Sequence, residues 1–108
     1  MELRYLPVRE SRLPDAFRIS LAGVRLRFTV RYNSEGDMFT VTVADNQGNV
    51  IVENRPLVYG ADLFSDIVDS RIPARVHIVP FDTAGKHDVV NRSNFMVDAF
   101  PFILEGLS

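Results

Sequence analysis

The feature that most constrains the fold of this chain is a two-residue alternation of apolar and polar side chains that runs through residues 17–43. Two residues is the period at which side chains of a β-strand return to the same face, so each run predicts a strand with one buried face. Turn-forming residues interrupt the alternation at positions 22–23, 33–37 and 45–49, each short enough for a hairpin. The sequence therefore predicts an antiparallel meander of four strands over residues 17–52.

A sheet with one apolar face needs a second layer to cover it. Further strands are predicted at residues 75–79, 94–97 and 100–104. Residues 60–68 predict one short helix, because Asp62 suits a helix N-terminus and the apolar residues after it share a side. The predicted fold is mainly β: an antiparallel meander forming a small sandwich or partly closed barrel, with one short helix.

Length and composition predict one domain over residues 1–108. Within it, residues 1–8 are predicted as an N-terminal edge strand or arm, and residues 99–108 as a C-terminal docking strand. The apolar fraction of 46% and the eight Phe residues argue against disorder. The net charge of −2 predicts neither nucleic-acid binding nor adsorption to a membrane.

The absence of cysteine excludes disulfides, thiolate zinc sites and thiol nucleophiles, and it fits assembly in a reducing cytoplasm. The first residues lack the charged-then-apolar layout of a signal peptide, and no run approaches the ~20 apolar residues of a membrane span. We therefore expect a soluble protein that is not exported by a general route.

Residues with catalytic or metal-binding chemistry are few, and the spacings of a nucleophile elbow, a phosphate loop and a zinc-protease helix are missing. The two histidines, His77 and His87, could pair only through the tertiary fold. Two groups of Asp and Asn side chains have the oxygen atoms that a hard cation binds, but the preference of these residues for turns is the simpler explanation of both. They are Asp82, Asp88 and Asp98, and Asp45 with Asn49. We expect no enzyme activity, no cofactor and no metal.

Four arginines share the polar face of the first two strands of the meander. They are Arg18, Arg25, Arg27 and Arg31. Guanidinium groups recognise carboxylates or phosphates through paired hydrogen bonds, so this face is a candidate partner-binding surface. The alternative is a solvated outer face, which is ordinary in antiparallel sheets. Nucleic acid is not expected there, because the face lacks aromatic side chains on which bases could stack.

A C-terminal run of large apolar side chains is the second candidate partner-binding segment. It comprises Phe100, Phe102, Ile103 and Leu104. Pro101 lacks a backbone N–H, which predicts an edge strand and not a central one. Such a strand either packs on the core of its own chain or pairs with a neighbouring subunit.

Several stretches resemble the phage baseplate plug family, which is best known from cyanophage tails. They are residues 13–19 (LPDAFRI), 31–40 (RYNSEGDMFT), 45–48 (DNQG), 56–63 (PLVYGADL) and 92–95 (RSNF). The resemblance implies a structural virion protein of a contractile-tailed phage or a prophage-derived tail machine, with no catalytic residues. It also implies a place at the lower end of the tail tube, in symmetric copies, against hub, spike and tube proteins.

The leading hypothesis is therefore a baseplate assembly protein that docks on other tail proteins through its sheet edges and arginine face. A small-ligand or carbohydrate-binding β module is the alternative, and it would need an exposed tyrosine in a shallow groove. The tyrosines are Tyr5, Tyr32 and Tyr59. A hydrolase would require the three C-terminal aspartates to converge around a cleft.

Overall fold

The structure, a computed structural model, describes residues 4–105 and is built from seven β-strands and one 3-10 turn. The parts of the predicted N-terminal arm and C-terminal docking strand at residues 1–3 and 106–108 lie outside the described residues. The strands are β1 (Arg4–Tyr5), β2 (Asp15–Leu21), β3 (Val24–Asn33), β4 (Met38–Asp45), β5 (Val50–Pro56), β6 (Val76–Asp82) and β7 (Ala99–Glu105), and the 3-10 turn is Glu10–Arg12.

The predicted meander is confirmed, because β2 to β5 form a four-stranded antiparallel sheet in sequence order. Pairing of β2 with β3 is continuous over all seven residues of β2. Ala22 and Gly23 close this hairpin with φ values of 50° and 82°, the left-handed geometry of a tight two-residue hairpin turn. Pairing of β4 with β5 is less regular, with register shifts on both sides of Val43.

The second antiparallel sheet has the order β1-β7-β6, so β7 is central and the predicted edge position for the strand containing Pro101 is wrong. Pro101 lies opposite Pro80, and both carbonyls point away from the other strand. The Pro101 carbonyl accepts from Leu6 N–H at 3.0 Å, and the Pro80 carbonyl accepts from Gly60 N–H at 2.7 Å. The two prolines therefore form a non-hydrogen-bonded pair, where neither nitrogen faces the other strand. On the β1 side, Pro101 has no N–H to donate to the Leu6 carbonyl, and this carbonyl accepts a hydrogen bond from Val8 N–H instead.

One hydrophobic core lies between the two sheets, which makes the fold a small sandwich and not a closed barrel. The four-stranded sheet fills it with the apolar face that the alternation predicted. The core residues from this sheet are Leu21, Leu26, Phe28, Val30, Phe39, Val41, Val43 and Val52. The other sheet contributes Val76, Ile78 and Ile103, and the connecting segments contribute Leu6, Val8, Leu57, Leu63, Phe64, Val90 and Phe95.

Residues 60–68 form turns, so the predicted helix is wrong. The Asp62 carboxylate, which was expected to cap a helix, accepts the Phe64 N–H of a local turn and also the Ile78 N–H of β6, both at 3.1 Å. Leu63 N–H in turn donates to the Ile78 carbonyl at 2.8 Å. A helix of two turns is marginal on its own, and here Gly60 and Leu63 donate to the edge of β6 instead, while Ser65 N–H and Ile67 N–H close local turns. No helix in the part of the chain that the structure describes is long and apolar enough to cross a membrane.

Residues 94–97 form a turn, so the strand predicted there is also wrong. The Asn94 carbonyl accepts hydrogen bonds from three backbone N–H groups that follow it, including that of Ala99 at 3.0 Å. Met96 has a φ of 62°, which a regular strand does not contain. The apolar pattern has another cause: Phe95 is fully buried and packs into the core from this loop.

Acid should weaken the attachment of the segment between β5 and β6 to the four-stranded sheet. Arg71 of this segment donates hydrogen bonds to Asp69, in the same segment, at 2.7 Å and to Asp45, at the end of β4, at 3.2 Å. The Arg71 hydrogen bonds lower the pKa of Asp69 from 3.8 to about 2. A lowered carboxyl pKa stabilises the fold above the unfolded pKa of 3.8 and ceases to do so as pH falls towards 2. We expect thermal unfolding followed at pH 5 and pH 2 to show a smaller acid-induced drop in Tm for Asp69→Asn than for the wild type. An equal drop would contradict this role.

Candidate interaction surfaces

The four arginines predicted to bind a partner lie on the outer face of the four-stranded sheet, and we call this face the arginine surface. Its members are Arg18, Arg25, Arg27 and Arg31, all exposed. The β2–β3 register places Arg18 directly opposite Arg27, and Ser20 opposite Arg25. The sheet therefore collects these charges on one surface, as the alternation predicted.

Within residues 4–105, the arginine surface has no carboxylate partner. None of its four side chains makes an ion pair or a hydrogen bond with another described residue. By strand alternation, β2, β3 and β4 present no Asp or Glu on this face, and the exposed Glu53 of the fourth strand, β5, forms no ion pair with these arginines. Four of the seven described arginines outside this surface are paired: Arg4 with Glu105, Arg9 with Asp15, Arg55 with Asp66, and Arg71 with Asp69 and Asp45. Arg12, Arg75 and Arg92 form no ion pair among the described residues, but they are not gathered on one sheet face.

The pair of Arg18 and Arg27 is an unfavourable contact inside the isolated chain. A two-residue hairpin closes on a hydrogen-bonded pair, here Leu21 with Val24, and hydrogen-bonded and non-hydrogen-bonded pairs alternate from there. Arg18 and Arg27 therefore form a non-hydrogen-bonded pair, the kind in which opposing side chains come closest. Like charges directly opposite destabilise a sheet, and a partner's carboxylates would relieve that cost.

The C-terminal candidate residues are divided between the two faces of the central strand β7. Ile103 points into the core and is 5% exposed. Phe102 is 6% exposed and packs on the outer face, with its ring centroid 4.4 Å from that of Phe81 and 6.1 Å from that of Tyr5. Phe100 and Leu104 are half-buried on the same outer face. This strand pairs with β1 on one side and β6 on the other, within its own chain. Of its four candidate residues, Phe100 and Leu104 are the ones whose side chains remain partly accessible.

The histidines and aspartates do not gather into one site. His77 Nδ1 lies 2.7 Å from Asp62, while His87 Nε2 lies 3.0 Å from Asp98 and 4.0 Å from Asp82. The Asp82 carboxylate already accepts the backbone N–H groups of Ala84 and Lys86, as a turn residue does. Asp88 lines a separate shallow depression beside Asp37 and Tyr59. Among the residues described, no group of three or more His, Asp or Glu side chains is placed to hold a metal ion.

The tyrosines that a ligand-binding module would use are engaged within the chain. Tyr32 O–H donates to Asp37 at 2.7 Å, and the Arg92 guanidinium covers the ring at 5.0 Å from its centroid. The bond to Asp37 raises the pKa of Tyr32. The Tyr59 hydroxyl oxygen accepts a hydrogen bond from the backbone N–H of Asp82 at 3.1 Å. Tyr5 is 44% exposed but leans on the rings of Phe100 and Phe102.

Sequence reasoning missed the roles of two polar residues that organise the second layer. Asp62 holds the edge of β6, and Asn94, which is 1% exposed, closes the loop before β7 with its amide on the Val89 carbonyl at 2.9 Å. The Asn91–Arg92–Ser93–Asn94 run is the signal that could have indicated the second, because asparagine side chains commonly cap local turns. No local signal indicates that the Asp62 carboxylate also bonds to Ile78, which lies 16 residues away.

Comparison with protein families decides which kind of protein carries these surfaces. A family model described as cyanophage baseplate Pam3 plug gp18 matches residues 3–106 of the 108-residue chain. The chain belongs to this plug family. The match confirms the resemblance noted in the sequence, and it extends through the C-terminal third, including β7.

Membership in the plug family indicates a structural protein of a phage tail baseplate, associated with other tail or baseplate proteins. No curated protein and no solved structure matches the chain. The family match thus gives the class of protein, and the arginine surface and the outer face of β7 are the candidate contacts.

Proposed function

We propose that this chain plugs or organises the lower end of the tail tube of a phage or prophage contractile tail by binding hub, spike or tube proteins. The arginine surface is the observation that carries the proposal. Its four arginines form no ion pair within the described chain, and Arg18 opposes Arg27, so the surface is suited to meet acidic groups of a neighbour. We further propose that the chain acts as one domain, is assembled in the host cytoplasm and is present in symmetric copies.

The outer face of the three-stranded sheet is the proposed second contact. Phe100 and Leu104 are half-buried there, next to the exposed ring of Tyr5. Aromatic and aliphatic side chains of this kind form the cores of protein interfaces, with charged groups at the rim. In this arrangement Phe102, covered by its neighbours on the outer face, and Ile103, in the core, support the contact and do not touch the partner themselves.

Co-expression with the neighbouring tail proteins, followed by size-exclusion chromatography with light scattering, tests the proposal. We expect the chain to co-elute with at least one hub, spike or tube protein in a complex of defined stoichiometry. The complex should weaken with added salt, because exposed charges are screened within about 8 Å at physiological ionic strength. A folded monomer that co-elutes with none of them would refute the proposal.

Replacing Arg27 with threonine should stabilise the isolated chain while weakening its complexes. The substitution removes the charge opposite Arg18, which should raise the free energy of unfolding by about 0.2–1 kcal/mol. Urea denaturation at low and at high salt measures the effect, and the gain should shrink at high salt. Arg31→Thr is the matched control, since Arg31 lies opposite Thr40. An equal gain in both variants would show that the Arg18–Arg27 contact is not the cause.

A further inference from the structure

Three of the four sheet edges are blocked, each in its own way. The edge of β6 is covered by residues 59–63, where Gly60 and Leu63 donate backbone hydrogen bonds to Pro80 and Ile78 at 2.7 and 2.8 Å. The edge strand β5 is bulged by register shifts, and Asn54 within it has a φ of 48°. The edge strand β1 is only two residues long. Bulges, covering segments and short strands are the means by which proteins prevent other strands from pairing with their edges.

The edge strand β2 has none of these devices. It pairs with β3 over seven residues without a bulge, and it contains no proline. Because Leu21 and Val24 form a hydrogen-bonded pair, the backbone groups of alternate residues point away from β3. The residues concerned are Ala16, Arg18 and Ser20. Within residues 4–105, no backbone hydrogen bond beyond the β2–β3 ladder involves these three residues.

The side chains beside this edge define what could pair with it. Phe17 and Ile19 are half-buried at the margin of the core, so residues opposite them in an added strand would have to be apolar. Arg18 points to the other face, beside Arg27 and Arg25, so residues opposite it would have to be acidic. Pairing of β2 with β2 of a second copy would instead bring the Arg18 side chain of that copy, with the rest of its arginine surface behind it, onto a face whose own arginines form no ion pair, which disfavours a homodimer.

We infer that the β2 edge is a strand-addition site, which takes an extended segment of another tail protein with alternating apolar and acidic residues. The segment becomes a fifth strand of the four-stranded sheet, hydrogen-bonded to the backbone of Ala16, Arg18 and Ser20. The backbone bonds provide affinity, and the arginine surface selects the acidic sequence. This inference rests on the proposed docking function and assigns it a binding mode.

Two synthetic peptides and amide hydrogen exchange followed by NMR test the site. The first peptide alternates Glu and Val over about nine residues, and the second replaces every Glu by Lys. In the free chain, the N–H groups of Ala16, Arg18 and Ser20 should exchange rapidly, while those of Phe17 and Ile19 are protected by the β3 ladder. The Glu peptide should protect the three outward groups, and it should bind at least about tenfold more tightly than the Lys peptide.

A substitution at the edge separates backbone pairing from charge. Ser20→Pro removes an outward N–H and leaves the β2–β3 ladder intact, so the fold should persist while binding of the Glu peptide falls at least about tenfold. Ser20→Thr, which keeps the N–H, is the matched control and should bind as the wild type does. Circular dichroism and the β3 amide signals check that both variants are folded.

Several results would overturn the inference: absence of binding, equal binding of both peptides, or binding that leaves the three outward N–H groups unprotected. A homodimer with these groups protected would show that the occupant is a second copy. The proposed function fails separately. If folded Ser20→Pro still co-elutes with the tail proteins as the wild type does, the strand-addition site is wrong and the docking function stands. If the wild type itself binds no tail protein, the docking function fails.

Discussion

Replacing Phe95 with alanine is expected to lower the free energy of unfolding by about 3–5 kcal/mol, a large part of the 5–15 kcal/mol typical of a whole domain. Phe95 is fully buried although it lies in the loop before β7. Its ring centroid is 4.1 Å from that of Phe39 in β4, which in turn is 5.0 Å from that of Tyr32 in β3. The truncation would leave a cavity where this loop fastens onto the four-stranded sheet.

Urea denaturation measures this loss, and Val97→Ala is the matched control. Val97 belongs to the same loop but is 58% exposed, so its truncation should change the free energy of unfolding by less than about 0.5 kcal/mol. Similar losses in the two variants would show that the loop does not anchor the sheet through Phe95.

Reversing two charges of the arginine surface, Arg27→Glu with Arg31→Glu, should weaken the complex with tail proteins about a hundredfold or abolish it. Both arginines are exposed and without a carboxylate partner in the described chain, so they contribute little to the fold and are free to pair with a neighbour. Placing carboxylates against an acidic partner replaces attraction by repulsion, and each such change is worth about tenfold or more. Arg18 would gain an opposite charge across the strand, so the isolated chain should remain folded.

The same assay on Arg75→Glu with Lys86→Glu controls for net charge. Both residues are exposed and lie outside the arginine surface, and the change in charge is the same. We expect this variant to co-elute with its partner as the wild type does. An equal loss of binding in the two variants would mean that net charge, and not the arginine surface, determines the association.

The four-stranded sheet could be predicted from the sequence because its information is local. Alternation along β3 assigns each side chain to a face, and the turn at Ala22 and Gly23 fixes the register with β2. The arginine surface follows from the same alternation, since Arg25, Arg27 and Arg31 are two residues apart or a multiple of two. Alternation could not show that these arginines lack a carboxylate partner, because that depends on where the Asp and Glu residues of the chain lie in the folded structure.

The second layer was predicted less well because its decisive contacts join residues distant in sequence. Asp62 and Leu63 both bond to Ile78, 15 or 16 residues away, and the local hydrogen bonds around them close turns and not a helix. Pro101 is tolerated in a central strand because its nitrogen faces β1, where the Leu6 carbonyl accepts from Val8 N–H, an arrangement that no local rule for proline anticipates. That β2 is the unblocked edge could not be predicted either, because it depends on the bulge in β5, the segment covering β6 and the shortness of β1.

A cryo-electron microscopy map of the assembled baseplate would test the central claim most directly. The claim is that this plug-family chain works by docking, with the arginine surface and the adjoining β2 edge against another tail protein. We predict density for the two-sheet fold in the baseplate, with acidic side chains of a neighbour within about 4 Å of the guanidinium groups. A map in which the outer face of the four-stranded sheet contacts only solvent would contradict the account.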